Sequence, residues 1–198
     1  MTDEKQKQNL LLDLDENIIN ARMMKKFFKK MTPEIKEKSD KFEVHNCDGY
    51  FIIFERPHLQ DFLDYVFEKF NVSVWTAASK DYALFIVDNI ILKKDKPDRK
   101  LDYVFFSYHC DISEKKHNDH IKDLKLLSQT FKLDGYTQEN TFIMDDNDLV
   151  IKANPGNCLP TPPFKFTTPN SENDRYLLDI KEKLDKIADS SVKDVLQK

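Results

Sequence analysis

Two aspartates, Asp13 and Asp15, close a short apolar run, Asn9 to Asp15, that reads N-L-L-L-D-L-D. Further along, Thr76 ends a second apolar run, Lys122 falls on a turn, and Asp145 and Asp146 end a third run. Together these side chains offer a carboxylate nucleophile, a second carboxyl to give and take a proton, a hydroxyl, a cation and hard oxygen ligands for a divalent metal. Phosphoryl transfer needs that combination, because the protein's part in it is positioning, proton transfer and neutralisation of charge on the phosphate. Taken alone, D-x-D is a strand-end turn with solvated acids. Its weight comes from the other residues of the set.

Elements able to position them follow from the hydrophobic pattern. An apolar run that stops abruptly at carboxylates behaves like a buried parallel strand delivering residues to its carboxyl edge. From Pro57, the apolar residues Leu59, Phe62, Leu63, Val66, Phe67 and Phe70 recur at helical spacing, with the proline suited to a first helical turn. Val72 to Thr76 then reads as a strand, Asp81 to Leu92 as a helix, Leu101 to Phe106 as a strand and Thr141 to Met144 as another. This alternation predicts an α/β fold, a doubly wound and mainly parallel sheet flanked by helices, with ligands beyond the carboxyl ends of its strands. The Lys- and Glu-rich stretch Met23 to Lys41, followed by Phe42 to Phe54, predicts a small inserted hairpin about Asp48-Gly49 after strand one. Pro155 to Pro169 reads as a surface connection. Glu172 to Ala188 reads as one amphipathic helix with Leu177, Ile180, Leu184 and Ile187 on its apolar face.

The blocks D-L-D-E-N (Asp13 to Asn17), E-R-P-H-L-Q-D-F-L (Glu55 to Leu63), W-T-A-A-S-K-D-Y-A (Trp75 to Ala83), I-K-D-L (Ile121 to Leu124) and M-D-D-N (Met144 to Asn147) stand in that order along the chain. In sequence and order they resemble the small C-terminal-domain phosphatases, the NLI-interacting-factor-like branch of the haloacid dehalogenase superfamily. The resemblance implies a haloacid-dehalogenase-like domain over residues 9–198 behind a short charged tail, residues 1–8. It implies Asp13 as nucleophile, Asp15 as general acid and base, Thr76 as a hydrogen-bond donor to the phosphoryl group, and Lys122 as the neutralising cation. It further implies Mg2+ held by Asp13, by the backbone carbonyl of Asp15, and by Asp145 and Asp146. The substrate class implied is a phosphoserine or phosphothreonine protein or peptide, such as a C-terminal-domain-like tail. In that branch the residues of the inserted segment line a pocket for what flanks the phosphoserine.

Three positions depart from the family. Asp146 stands where asparagine is usual, and the metal should tolerate it. Asn17 replaces a threonine, with slowed rather than abolished chemistry expected. Ser107 stands near the place of an arginine, which removes a bidentate phosphate clamp.

With 31 basic against 35 acidic residues, the 198-residue chain has a formal charge of -4 and no polybasic field for a nucleic-acid backbone or anionic lipid. No apolar run approaches the ~18 residues of a membrane span, and the charged amino terminus lacks a signal-peptide pattern. A soluble intracellular protein of the cytoplasm or nucleus is expected, without nucleic-acid or membrane partners, and the sequence carries no signal of oligomeric state. Cys47, Cys110 and Cys158 have neither zinc-finger nor redox spacing, and disulfides are not expected. His109, Cys110, His117 and His120 fit no standard zinc site and read as a solvated loop. Asp145 and Asp146 could also cap a following helix. Phe27, Phe28, Phe42 and Phe51 read as core, and Lys25 to Lys41 as a solvated helix face that could steer a phosphopeptide. Two other functions stay open at this point. One is a phosphopeptide-binding module of weak or absent turnover on the same scaffold. The other is a phosphatase for small molecules or nucleic-acid ends, although the lack of a large cap favours a protracted substrate.

Overall fold

Leu10, Leu11 and Leu12 are fully shielded from solvent in the computed structural model, which describes residues 6–112 and 121–196. They form Asn9–Leu12 (β1), the central strand of a sheet covered on both faces. After β1 the chain builds an insertion from Ile19–Met23 (β2), the helices Met24–Lys29 (α1) and Pro33–Ser39 (α2), and the strands Val44–Cys47 (β3) and Phe51–Glu55 (β4). β2, β4 and β3 pair antiparallel in that order. The hairpin expected at Asp48-Gly49 is present. Both residues take positive φ, 49° and 75°, and Tyr50 N donates to Cys47 O at 2.9 Å, the turn whose twist suits a two-residue hairpin.

Leu59–Lys69 (α3) buries Leu59, Phe62, Leu63 and Val66. Pro57 lies ahead of the first turn rather than within it, because His58 at φ 66° makes the left-handed entry to the helix. Next come Asn71–Trp75 (β5), Lys80–Ile86 (α4) with a widened continuation over Val87–Ile91, Leu101–Phe105 (β6), Ser107–Asp111 (α5) and Lys125–Gln129 (α6). Thr141–Asp145 (β7), Asp148–Ala153 (α7), Cys158–Pro160 (β8), Tyr176–Asp179 (α8), Lys181–Asp189 (α9) and Val192–Leu196 (α10) complete the described chain.

The main sheet is parallel in the order β6-β5-β1-β7-β8. Alternate strand residues feed two cores, as the period of a strand requires. Leu10, Leu12, Val74 and Met144 meet Phe62, Ile86 and Leu184 on one side, whereas Leu11, Trp75 and Ile143 meet Leu124, Leu127 and Val150 on the other. Helices thus wind over both faces, as the alternation predicted.

Three further expectations need correction. Pro155 to Pro169 is not a surface connection: it contains the edge strand β8, and its Phe164 and Phe166 are buried with Phe27 and Phe54 in a third cluster. Phe166 stacks on Phe54 with ring centroids 3.9 Å apart, and that apolar area draws the segment onto the insertion. The helix expected over Glu172 to Ala188 is broken into a short 3-10 turn (Ser171–Asn173), α8 and α9. Leu177, Leu184 and Ile187 are buried as expected, while Ile180 at the break is only half-buried. Among the four phenylalanines assigned to core, Phe27 is buried, Phe42 and Phe51 are half-buried, and Phe28 is 57% exposed.

Arg56 fastens the carboxyl-terminal segment to the turn after β1. It is 1% exposed and donates to Asn17 O (2.9 Å), to Pro162 O (3.1 Å) and, as a fork, to both Asp174 oxygens (3.1 and 2.9 Å), with Tyr176 against its guanidinium plane. Truncation would leave buried carbonyls and Asp174 unpartnered. Arg56→Ala should therefore lower the unfolding free energy by about 3 kcal/mol, readable as a lower denaturant midpoint at unchanged slope. Among the described residues no helix is long and apolar enough to cross a membrane.

Candidate active site

Strand register sets the site. Leu12 lies level with Val74 on one side and Met144 on the other, so the next residues, Asp13 and Asp145, are neighbours, with Thr76 just beyond the end of β5. Asp13 N donates to Met144 O at 3.1 Å, which prolongs the ladder by one residue. The chain then turns sharply: Leu14 O accepts from the amides of Asn17, Ile18 and Ile19 (3.3, 3.0 and 3.1 Å), and Glu16 takes φ 57°. A non-glycine residue in that region costs about 1 kcal/mol, which the surrounding bonds offset. Residues two apart on an extended segment share a face. Accordingly Asp13 and Asp15 line one cleft, of about 430 Å³, with Glu16, Thr76, Lys122, Asp145, Asp146 and Asn147.

Lys122 is the electrostatic centre of this cleft. Its Nζ donates to Asp13 Oδ1 and, at 2.7 Å, to Asp145 Oδ2, with all three residues buried. Burial opposes its charge, but the two carboxylates outweigh that cost and push the Lys122 ammonium above its usual range. Burial likewise pushes the Asp13 carboxyl up, with Lys122 pulling against it. The Asp15 carboxyl is also raised by burial, against the hydrogen bond it accepts from Tyr82 Oη at 2.7 Å. A raised carboxyl is what a general acid needs, while Asp13 differs in accepting directly from the Lys122 ammonium, which favours the carboxylate form that a nucleophile requires. Asp146 is pushed up to about 6 by burial and by Asp145.

Thr76 accepts from Ala78 N at 3.1 Å, and its N donates to Phe105 O at 3.0 Å. With its oxygen so engaged, the hydroxyl hydrogen is available to a ligand in the cleft. One carboxylate oxygen from each of Asp13, Asp145 and Asp146 lies within 4.8 Å of the others. Hard oxygens at that spacing fit a small divalent cation such as Mg2+.

The cap of α7 is neither Asp145 nor Asp146. Asn147 fills that place, accepting from Leu149 N at 2.9 Å, while Asp145 Oδ1 accepts from Asn147 N at 2.8 Å. Neither Asn17 nor Ser107 lines the cleft. Asn17 is fully buried behind the turn and donates through Nδ2 to Met144 O at 2.7 Å, the same carbonyl that accepts from Asp13 N. It ties the turn after β1 to the end of β7. Ser107 opens α5, with its N bonded to Ala78 O at 2.9 Å. His109 contacts the rings of Phe105, Phe106 and Phe131 and Cys110 is buried, so neither is loop-exposed; His117 and His120 lie outside the described residues.

Two supporting residues lie outside the set that the sequence marks as candidates. Tyr82 orients Asp15, and only its place in W-T-A-A-S-K-D-Y-A could have marked it. Asn154 donates to Lys122 O (2.7 Å) and accepts from Leu124 N (2.9 Å), which fixes the lysine's backbone. It lies in no motif.

Comparison with known proteins gives one consistent answer. A family model described as NLI interacting factor-like phosphatase matches residues 8–196. The CTD phosphatase-like protein 355R of Invertebrate iridescent virus 6 is 41% identical over 183 residues, covering 90% of this chain and 98% of that protein. The CTD nuclear envelope phosphatase 1 homolog of Drosophila melanogaster is 26% identical over 158 residues, 78% of this chain and 58% of that protein. In fold, the fission yeast RNA polymerase II CTD phosphatase Fcp1 superposes with TM-score 0.58 at 18% identity, over 92% of this chain and 51% of that one. This chain thus spans about half of that structure. A HAD family enzyme of Bacteroides thetaiotaomicron, solved as a magnesium complex, superposes with TM-score 0.50 at 13% identity, over 83% of this chain and 98% of that one.

Proposed function

Because this chain belongs to the NLI interacting factor-like phosphatase family, we propose that it is a magnesium-dependent phosphoprotein phosphatase that works through an aspartyl-phosphate on Asp13. The observation that carries this reading is the buried Lys122 bridging Asp13 and Asp145, with the oxygens of Asp13, Asp145 and Asp146 gathered beside it.

Asp13, Asp145 and Asp146 would hold Mg2+, which when bound neutralises charge on the phosphate and on the carboxylates. An oxygen of Asp13 attacks phosphorus, the ester P–O bond breaks, and its electron pair leaves on the alkoxide oxygen. Asp15, its carboxyl raised by burial and aimed by Tyr82, delivers the proton to that oxygen. In the second half Asp15 takes a proton from water, the water oxygen attacks phosphorus, and the bond to Asp13 breaks to release inorganic phosphate and the free carboxylate. Lys122 orients Asp13 and balances the negative charge throughout, and the Thr76 hydroxyl donates to a phosphoryl oxygen.

Among the described residues the insertion after β1 is a small three-stranded unit rather than a large cap, and the chain's relatives include a CTD phosphatase-like protein and a CTD nuclear envelope phosphatase homolog by name. Phosphoserine and phosphothreonine in an extended segment are therefore the substrates we assign. The test is phosphate release from phosphoserine and phosphothreonine peptides, an aryl phosphate and a 5′-phosphorylated oligonucleotide, with Mg2+ or with EDTA. Peptides should be turned over best, and EDTA should remove turnover. Release that is insensitive to EDTA, absent from every substrate, or greatest for the oligonucleotide would overturn the reading.

A further inference from the structure

The inserted segment has a face that the chemistry at Asp13 does not use. Between β2, α1 and the carboxyl-terminal segment lies a groove of about 510 Å³. Its lining includes Arg22, Lys26 and Lys30 above the apolar side chains of Met23, Phe27 and Phe166, and contains no acidic residue. In a chain of net charge -4 such a one-signed cluster is a local reversal. Lys26 and Lys30 are exposed, and none of the three cations has an ion pair among the described residues.

Arg22 is partly engaged but has no acidic partner among the described residues. It lies over the Phe166 ring at 5.9 Å and donates from one terminal nitrogen to Thr167 Oγ1 at 3.2 Å, yet its Nε is buried with no acceptor. Arg22 meets no carboxylate among the described residues, and a carboxylate is the acceptor that suits its guanidinium fork. Apolar surface continues beside the groove: Met23 is 49% exposed, Phe28 57% and Tyr50 74%, and Met24 N donates to Tyr50 O at 2.8 Å, which brings the tip of the hairpin against the start of α1. Exposed aromatic and methionine side chains clustered around cations mark a protein-docking surface rather than ordinary solvated surface.

We propose that this groove docks a segment of a protein partner in which acidic residues adjoin a bulky apolar side chain, the carboxylates meeting Arg22, Lys26 and Lys30 and the apolar group resting on Met23 and Phe27. Charge complementarity selects this occupant, and the apolar floor requires more of it than charge alone. The site is separate from the Asp13 cleft, and binding there needs no turnover. β2 begins at the bridge between Asp15 and Ile19 and reaches Arg22 roughly 10 Å further along at the usual rise of a strand. A partner docked here is thus held within a few residues' reach of the Asp13 cleft.

The test is fluorescence anisotropy of a labelled, unphosphorylated peptide of alternating Asp and Phe or Leu, titrated with the full chain. A peptide with Asp replaced by Lys, one with Phe and Leu replaced by Ser, and vesicles of phosphatidylserine and phosphatidylcholine serve as the other arms. The acidic apolar peptide alone should bind well. Lys26→Glu combined with Lys30→Glu, both on exposed positions that the fold does not need, should weaken it by about tenfold or more. Met23→Ala should weaken it separately, with circular dichroism unchanged in both variants. No binding by the wild type, equal binding by the charge-reversed variant, equal binding of the Ser-substituted peptide, or binding to vesicles but not to peptide would each overturn the proposal.

Discussion

Asp13→Asn is expected to lower magnesium-dependent phosphate release by about 10³-fold or more while leaving the protein folded. The amide is nearly isosteric with the carboxylate but lacks the nucleophilic oxygen, so the loss should fall on kcat rather than on KM. Stability should hold for a reason specific to this site. Burial already pushes the Asp13 carboxyl up against the pull of Lys122, so a neutral group there relieves a desolvation cost while Lys122 keeps its bond to Asp145. Thermal melting of wild type and variant should agree within a few degrees. If kcat stayed within about threefold of wild type, Asp13 would be only one acid among several at the strand ends.

Lys122→Met should damage both rate and stability, which separates it from Asp13→Asn. Methionine matches the length of the lysine stem, but it leaves Asp13 and Asp145 facing one another in a buried site without their shared cation. Breaking a buried ion pair from one side costs about 3 kcal/mol, and removal of a positioned donor lowers kcat by roughly 10²- to 10³-fold. Both acids belong to the group of oxygens that fits a divalent cation, so Mg2+ should recover part of the lost melting temperature without recovering the rate. A variant that melts and turns over like wild type would show that Lys122 is an ordinary buried lysine. One that recovers its rate with added Mg2+ would show that its charge, and not its position, is what the reaction uses.

Asp13, Thr76 and Asp145 were legible in the sequence because each follows an apolar run, and parallel strands in register must bring such ends together. Lys122 was legible only through the short block I-K-D-L, since it comes from a loop whose path depends on Asn154, more than thirty residues away in the chain. The turn after Asp15 gave no warning either. Glu16 adopts a left-handed conformation without being glycine, a choice made by the bonds to Leu14 O and by Phe164 N donating to Glu16 O. The same contact explains why Pro155 to Pro169 misled: local proline content signals an exposed connection, whereas the burial of Phe164 and Phe166 depends on partners from the insertion, including Phe27 and Phe54. The break between α8 and α9 was hidden for a related reason. The apolar spacing through Leu177, Ile180 and Leu184 is helical throughout, and periodicity alone does not reveal that the helix is interrupted at Ile180.

The most direct test of an aspartyl-phosphate on Asp13 is to trap the covalent species. Protein mixed with phosphopeptide and Mg2+ would be quenched within the first turnover, reduced with borohydride to fix any acyl phosphate, digested and mapped by mass spectrometry. Reductive modification is expected at Asp13 alone, rising and then falling as phosphate appears, and absent when phosphopeptide is withheld. Modification at a different carboxylate, or full-rate phosphate release with no trapped acyl phosphate at any time, would contradict it.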